Sequence, residues 1–369
     1  YGFGPNGNLV YGIRETLLGS DKLTWEKSYK TNIGLEMMLW GKLNLTLDYY
    51  WERRKDILIQ RSSLPSMAGF DASIYANMGE MDNKGVDANL EYQTRIGNKV
   101  GLRLFGNLTY SKNKIVFRDE PAMQYAYQKS EGTRYGEFYG YIAEGYFQSE
   151  EEIKKSPRQM RELAPGDIKY KDLNDDGVID ANDQCYLGKS WFPSWSYGMG
   201  FNINYHNFDL ALFFQGVSDV SIMANGGSID TGNGDWGASG VGIVPFTGMG
   251  LNPSNVITKA LDRWTADNPR ADAWYPRMTA NATTNDNNYV NSTHWLKDGS
   301  YLRLKQASLG YTLENKKLMD KGIEYLYFYL SGQNLLTFSK FKLWDPELGS
   351  NGAKYPLSRM VTLGMRVSF

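Results

Sequence analysis

A segment of twelve residues, 172–183, carries oxygen-bearing side chains at the spacing of a calcium-binding loop. The six expected ligands are Asp172, Asn174, Asp176, the carbonyl of Val178, Asp180 directly or through water, and Asp183. Gly177 stands where such a loop turns sharply, and Ile179 is the apolar residue that would anchor it. Because a hard cation prefers oxygen ligands, this spacing predicts a structural calcium site.

Two features of this loop depart from the usual pattern. Asp183 replaces the bidentate Glu of position 12 and is one methylene shorter, which would weaken or rearrange the coordination. Pro165 and Gly166 upstream, and the aromatic run 191–195 downstream, argue against the two helices that flank an EF-hand. The alternative is a solvated turn, since Asp and Asn favour turns without any ion.

The sequence offers no arrangement typical of an enzyme active site. Cys185 is the only cysteine, which excludes an internal disulfide and a cysteine-rich zinc site, and it is interpreted as a small loop residue. His206 falls in a predicted turn and His294 stands beside Trp295, without the spacing of a metal-binding pair. The Gly-rich run 226–250 lacks the Lys-Ser/Thr pair of a phosphate loop and is interpreted as an external loop.

Charge and hydropathy exclude two further classes of protein. The 40 Lys and Arg residues nearly balance the 41 Asp and Glu residues, so the formal charge of -1 gives no broad attraction to nucleic acid. No apolar run approaches the ~18 to 20 residues that a membrane helix needs. Strands that alternate apolar and polar residues are the remaining way to cross a membrane.

The segment 196–215 is the clearest such element. Its first arm places Tyr197, Met199, Phe201, Ile203 and Tyr205 on one face, and its second arm places Phe208, Leu210, Leu212 and Phe214 on one face. Only His206 and Asn207 separate the arms, which predicts a tight antiparallel hairpin. Aromatic residues near the strand ends with aliphatic residues between them are typical of a lipid-facing band.

The same alternation recurs along the chain. The other predicted strands are 33–40, 43–50, 86–93, 102–110, 302–312, 324–332 and 359–369, and the predicted loops are 1–31, 51–83, 111–195 and 216–300. Short and long connections alternate, as in an outer-membrane barrel with long loops outside the cell. The predicted fold is therefore an all-β, antiparallel transmembrane β-barrel of about nine strands. A soluble β-sandwich is the less favoured alternative, because polar residues recur on the second face of every strand.

The odd number of predicted strands leads to a further expectation. A last strand that ends on the short-turn side requires the first strand to enter from the long-loop side, and an even-numbered barrel cannot close on nine strands. We therefore expect residues 1–369 to be the C-terminal portion of a larger barrel.

Seven blocks of sequence together resemble the SusC/RagA-type TonB-dependent outer-membrane transporters. They are LTWEKSYKTNIGLE (23–36), NKGVDANLEY (83–92), PGDIKYKDLNDDGVIDANDQ (165–184), LDRWTADNPRADAWYPRM (261–278), LKDGSYLRLKQASLGYTL (296–313), SGQNLLTFSKFKLWDPE (331–347) and YPLSRMVTLGMRVSF (355–369). Their order covers most of the chain and is more specific than any single block.

The resemblance implies a 22-stranded barrel with a plugged lumen that imports oligosaccharides or peptides across the bacterial outer membrane. It also implies a SusD-like surface lipoprotein over the extracellular mouth and energy supplied through TonB. The plug, the TonB-contacting box and the first half of the barrel are expected outside these 369 residues. The alternatives are a ligand-binding barrel that does not transport, and a secreted β-protein that binds or cleaves glycans.

Overall fold

The computed structural model describes residues 2–3, 8–9, 17–19, 22–63, 73–97, 99–225, 257–279, 287–352 and 354–369. Nine long strands form one antiparallel sheet in chain order. They are β1 (Lys27–Leu39), β2 (Leu43–Gln60), β3 (Ser73–Ile96), β4 (Val100–Phe117), β5 (Trp195–Tyr205), β6 (Phe208–Ser218), β7 (Tyr301–Leu313), β8 (Tyr325–Ser339) and β9 (Met360–Ser368). The predicted Gly-rich loop 226–250 lies outside the described residues.

The predicted hairpins are confirmed, and their turns have the backbone that tight hairpins require. Tyr205 pairs with Phe208 across the turn, and His206 adopts a positive φ of 52°. At the β1–β2 turn, Trp40 and Gly41 have φ values of 54° and 61°. Positive φ at these positions lets the turn follow the right-handed twist of its strands, which fixes the register of each hairpin.

That register joins the apolar positions of successive strands into one continuous face. A single row across β9 to β4 consists of Leu363, Leu330, Leu309, Leu210, Ile203 and Leu102. These side chains do not form a protein core, since Leu330 is 48% and Leu363 81% exposed. An apolar face of this extent in contact with solvent is unfavourable, whereas lipid would cover it.

The opposite face of the sheet carries paired polar groups. Nε of Arg103 donates to Glu91 at 2.8 Å, and Asn32 donates to Asp48 at 3.0 Å. Farther round the sheet, the Tyr327 hydroxyl donates to Asp209 at 3.0 Å. The two faces therefore differ in chemistry as the alternation predicts.

Several strands extend beyond their predicted ranges, among them β8, which continues to residue 339. The expected loop 51–83 is wrong at both ends, because β2 continues to residue 60 and β3 begins at residue 73. β4 likewise continues to residue 117, and β1 begins at residue 27. At ~3.3 Å per residue and a tilt of ~45°, an 18-residue strand exceeds the ~25 Å height of a lipid-facing band. These strands therefore continue past such a band, where both of their faces can be polar.

The long connections contain short elements. Paired strands are Gly2–Phe3 with Asn8–Leu9, Glu137–Gly140 with Cys185–Ser190, Ala143–Tyr146 with Ile168–Tyr170, and Ser221–Met223 with Leu296–Asp298; Leu17–Leu18 pairs with the start of β3. Helices span Glu150–Lys155 and Lys316–Met319, and 3-10 turns span Ala126–Gln128, Ala181–Asp183, Thr258–Leu261 and Pro346–Leu348. Cys185 thus lies buried in a short strand rather than in a loop. Among the described residues, no helix has the length and apolar character to cross a membrane.

Candidate functional site

The long connections after β4 and β6 fold together into a compact unit, which we call the loop assembly (described residues 118–194, 219–225, 257–279 and 287–300). It holds the main buried apolar cluster of the described residues, whose members include Tyr141, Tyr146, Ile168, Tyr170, Ile179, Trp264, Tyr275, Tyr289 and Trp295. Trp295 has no exposed surface and lies 5.2 Å from the ring of Tyr289 and 5.7 Å from that of Tyr275. Burial of this many aromatic rings gives the connections their own hydrophobic core.

A buried polar network joins the two connections. Asn288 accepts from the Ile168 amide at 2.9 Å and donates to Asp167 at 2.8 Å. Asp167 in turn accepts from the Arg277 guanidinium at 2.9 Å. Asn287 accepts from Gln159 at 2.8 Å through its side chain. Because unpaired polar groups at such depth are costly, these bonds fix one arrangement of the segments.

Gly166 is a position where the backbone of this unit lies close against an aromatic ring. Its φ is +92°, and a Cβ atom there would lie 2.2 Å from the ring of Trp264. The Pro165–Gly166 pair, which the sequence analysis used only as evidence against a helix, therefore lets the chain turn directly against Trp264.

The first half of the expected calcium loop is folded as a series of side-chain-to-backbone turns. Asp172 accepts from the Gly177 amide at 2.8 Å, Asn174 accepts from the Asp176 amide at 3.1 Å, and Asp176 accepts from the Val178 amide at 2.8 Å. Gly177 has a φ of 81°, as expected of the sharp turn. The backbone of the loop is thus organised by three of the expected ligands.

The second half uses its carboxylates differently. Asp183 is fully buried, and its two oxygens accept from the amides of Leu173 at 2.7 Å and Asp180 at 2.9 Å. Asp180 caps the turn Ala181–Asp183 by accepting from the Asn182 amide at 2.7 Å. Asp183 therefore closes the loop through hydrogen bonds to two backbone amides.

The fit of this loop to a cation rests mainly on Asp172. Its Oδ1 atom is buried and has no hydrogen-bond partner, so it retains an unsatisfied acceptor. Within the described part of the chain, no three His, Cys, Asp or Glu side chains converge into a ready metal centre. Ile179 is buried in the apolar cluster, which agrees with its expected role as the anchor of the loop.

His294 belongs to the loop assembly rather than to a metal site. A ring nitrogen lies 3.2 Å from the carbonyl oxygen of Trp274 and 3.4 Å from the Tyr146 hydroxyl. Burial, with a smaller effect from Lys297, lowers the pKa of His294 to about 4. The imidazole is therefore neutral at physiological pH.

A buried arginine ties the last long connection to the sheet, and the sequence analysis did not identify it. Arg303 on β7 is 1% exposed and donates to both oxygens of Asp345 at 2.6 and 2.7 Å and to Glu347 at 2.6 Å. The Tyr301 hydroxyl also donates to Glu347 at 2.7 Å. Both acidic residues lie in the WDPE segment, about forty positions away in the chain, so spacing alone gave no signal of this contact.

Comparison with known proteins identifies the protein family to which the chain belongs. The family described as "TonB dependent receptor-like, beta-barrel" matches residues 1–335, and the chain therefore belongs to this family. This membership and the nine-stranded antiparallel sheet together confirm the predicted β-barrel fold, and the family is one of receptor-like barrels rather than of enzymes.

The chain is similar to two relatives of known name and to one solved structure. TonB-dependent receptor P3 of Formosa agariphila is 28% identical over 98% of this chain and 36% of its own length. SusC of Bacteroides thetaiotaomicron is 23% identical over 99% of this chain and 34% of its own length. The RagAB peptide importer in its "closed-closed" state matches 100% of this chain and 38% of that chain with a TM-score of 0.72 at 23% identity. The chain thus spans about a third of the length of these relatives.

Proposed function

We propose that this chain is the barrel part of an outer-membrane importer for oligosaccharides or peptides. The observation that carries the proposal is the continuous apolar face of the nine-stranded sheet, with a compact loop assembly on its long connections. A sheet with such a face needs lipid around it, and a folded cap is suited to receive a ligand at the mouth of the barrel. SusC and the RagAB peptide importer support the choice of import.

The partners follow from the same proposal. A SusD-like surface lipoprotein would cover the loop assembly, and TonB would supply energy through a part of the protein outside these 369 residues. Import is then tested by uptake of labelled oligosaccharides and peptides in wild-type cells and in a strain lacking the full gene. Loss of uptake in the deletion strain and after collapse of the proton gradient is the expected result. Binding to cells without energy-dependent uptake would contradict import and favour a ligand-binding barrel.

The orientation of the barrel in the membrane is tested separately, with one cysteine placed at each end of the barrel in a Cys185→Ser background. Glu151→Cys places a thiol on the exposed helix Glu150–Lys155 of the loop assembly, and Lys317→Cys places one on the helix between β7 and β8. A membrane-impermeant maleimide should label the first in intact cells and the second only after the outer membrane is disrupted. The reverse pattern would refute long connections on the outside. A secreted protein would instead stay in solution without detergent.

We also propose that residues 172–183 bind calcium as a structural ion. Asp172, Asn174 and Asp176 would provide side-chain oxygens, with the Val178 carbonyl and Asp180. The unpartnered Oδ1 of Asp172 is the observation in favour of the ion. Asp183 would hold the loop closed through the hydrogen bonds that its oxygens accept, and it would complete the coordination with their remaining lone pairs.

Hydrogen exchange of the full-length protein tests this second proposal. Calcium should slow exchange at residues 172–183, and a chelator should reverse the effect. Asp172→Asn should abolish the response. Asp175→Asn is the matched control, because it removes the same charge at a loop position that supplies no expected ligand. An identical response in both variants, or no response in the unmodified protein, would leave the solvated turn as the correct interpretation.

A further inference from the structure

A cleft of about 810 Å³ lies between the loop assembly and the segment that follows β8. Its charged lining side chains are Lys259, Lys297, Lys340, Lys342 and Asp298, and its aromatic lining residues are Trp274, Phe341 and Trp344. Four lysines and one aspartate therefore line a cavity large enough for a small oligomer.

Lys297 is the most unusual of these groups. Its ammonium donates to the His294 carbonyl at 2.6 Å and lies 5.4 Å from the centre of the Trp274 ring. No carboxylate of the described residues pairs with it. Burial, and secondarily Lys259, lowers the pKa of Lys297 to about 8. A half-buried cation without a counter-ion is costly, so the protein retains it at some expense in stability.

The other lysines are unequally neutralised. Lys259 pairs with Asp262 at 2.8 Å, whereas the ammonium of Lys340 is 3.9 Å from Asp298 and its side chain is largely exposed. Lys342 is exposed and forms no ion pair within the described residues. The positive charge of the cleft is therefore largely available to a ligand.

We propose that this cleft binds a carboxylated oligosaccharide, one made of uronic acid units. The inference rests on the proposed function, because it names the class of ligand that the importer receives. Carboxylates of the ligand would pair with Lys297 and Lys342, and its sugar rings would pack on Trp274 and Trp344. Asp298 accepts hydrogen bonds only, and sugar hydroxyls can donate to it. A polyacidic peptide offers similar carboxylates but has no sugar rings to pack on Trp274 and Trp344 and no hydroxyl groups to donate to Asp298, so the sugar acid is favoured.

Binding of such a ligand should also change the number of protons that the cleft holds. A ligand carboxylate beside Lys297 would raise its pKa, so the complex would take up protons near pH 8. The charged and titratable groups around this ammonium are Lys259, Lys340, Lys342, Asp298 and the imidazole of His294, which is already neutral. Lys297 is therefore the group expected to titrate on binding.

The test is isothermal titration of the full-length protein in detergent with hexagalacturonate at pH 8, in two buffers of different ionisation enthalpy. Net proton uptake is expected for the unmodified protein and should disappear in Lys297→Met. Both Lys297→Met and Lys342→Met should raise Kd by about tenfold, as expected for one lost charged hydrogen bond. Lys317→Met, an exposed lysine at the far end of the sheet, is the matched control and should leave Kd unchanged.

Four results would overturn the inference: no binding, equal binding of a neutral hexasaccharide, tighter binding of hexaglutamate, or unchanged affinity in both cleft variants. Lys342 is exposed, so its variant stays informative even if Lys297→Met fails to fold. Uptake in cells separates this inference from the proposed function. Energy-dependent uptake that is unchanged in the cleft variants would refute ligand binding in the cleft but not import. Binding of hexagalacturonate without uptake would refute import but not ligand binding in the cleft.

Discussion

Replacement of Arg303 by Met should release the segment after β8 from the sheet. The guanidinium is 1% exposed and bonds to Thr337, Asp345 and Glu347, so the variant leaves two carboxylates without their cation. Removing one partner of a buried ion pair costs ~3 to 5 kcal/mol. The side chains of Asp345 and Glu347 are 19% and 29% exposed and can regain some water, which favours the lower end, about 3 kcal/mol.

Hydrogen exchange of residues 341–352 in the full-length protein measures this local stability. A loss of about 3 kcal/mol corresponds to exchange that is about 150-fold faster in this segment. The double variant Arg303→Met/Asp345→Asn provides the internal control, because it also removes one orphaned charge and should recover at least ~1 kcal/mol. An acceleration below about fivefold, or no recovery in the double variant, would refute the view that Arg303 anchors the segment.

Three further perturbations test other parts of the molecule. Leu212→Arg on the apolar face should cost ~2 to 4 kcal/mol of unfolding free energy in lipid, whereas Asn202→Arg on the polar face should be tolerated; equal tolerance would refute the assigned faces. Gly166→Ala should destabilise the loop assembly by at least ~2 kcal/mol, measured by hydrogen exchange there, because φ is +92° and the new methyl group would meet Trp264. His294 is neutral in the fold with a pKa of about 4, below its unfolded value, so the folded form binds fewer protons. The contribution of His294 to the stability of the loop assembly should therefore be constant above pH 6.5 and fall by up to about 3 kcal/mol as the pH approaches 4, and His294→Gln should remove this contribution.

The sheet could be predicted where one of its faces is apolar. In the hairpin of β5 and β6, apolar residues on one face alternate with smaller or more polar residues on the other. The short turn at His206 then fixes the pairing of the two strands without knowledge of any other strand. The upper parts of β2 and β3 were missed because that contrast disappears there. Arg53 and Asp82 occupy the side that carries leucines lower in the strands, and they pair at 2.6 Å. A strand that is polar on both faces has the composition of a loop.

The loop assembly could not be predicted for a different reason. Its core joins Tyr146 to Ala273 and Tyr170 to Asn287, residues more than a hundred positions apart. No local periodicity encodes such contacts, because the segments that make them are short and irregular. The calcium-loop spacing was visible in sequence, but the use of both Asp183 oxygens as hydrogen-bond acceptors was not, since that depends on where the backbone amides of Leu173 and Asp180 point.

The distribution of burial divides the chain into two parts that are stabilised in different ways. The sheet exposes its leucines and keeps its polar groups paired on the other side, so its apolar stabilisation depends on the surrounding lipid. The loop assembly buries Trp295, Tyr275 and Tyr170 in one apolar cluster and holds its own polar network, so it needs no lipid. A cap with an independent core can keep a binding cleft in shape at the mouth of the barrel. Arg303 connects the sheet to the cleft, because it stands on a barrel strand and binds the segment after β8, which forms the wall of the cleft opposite the loop assembly.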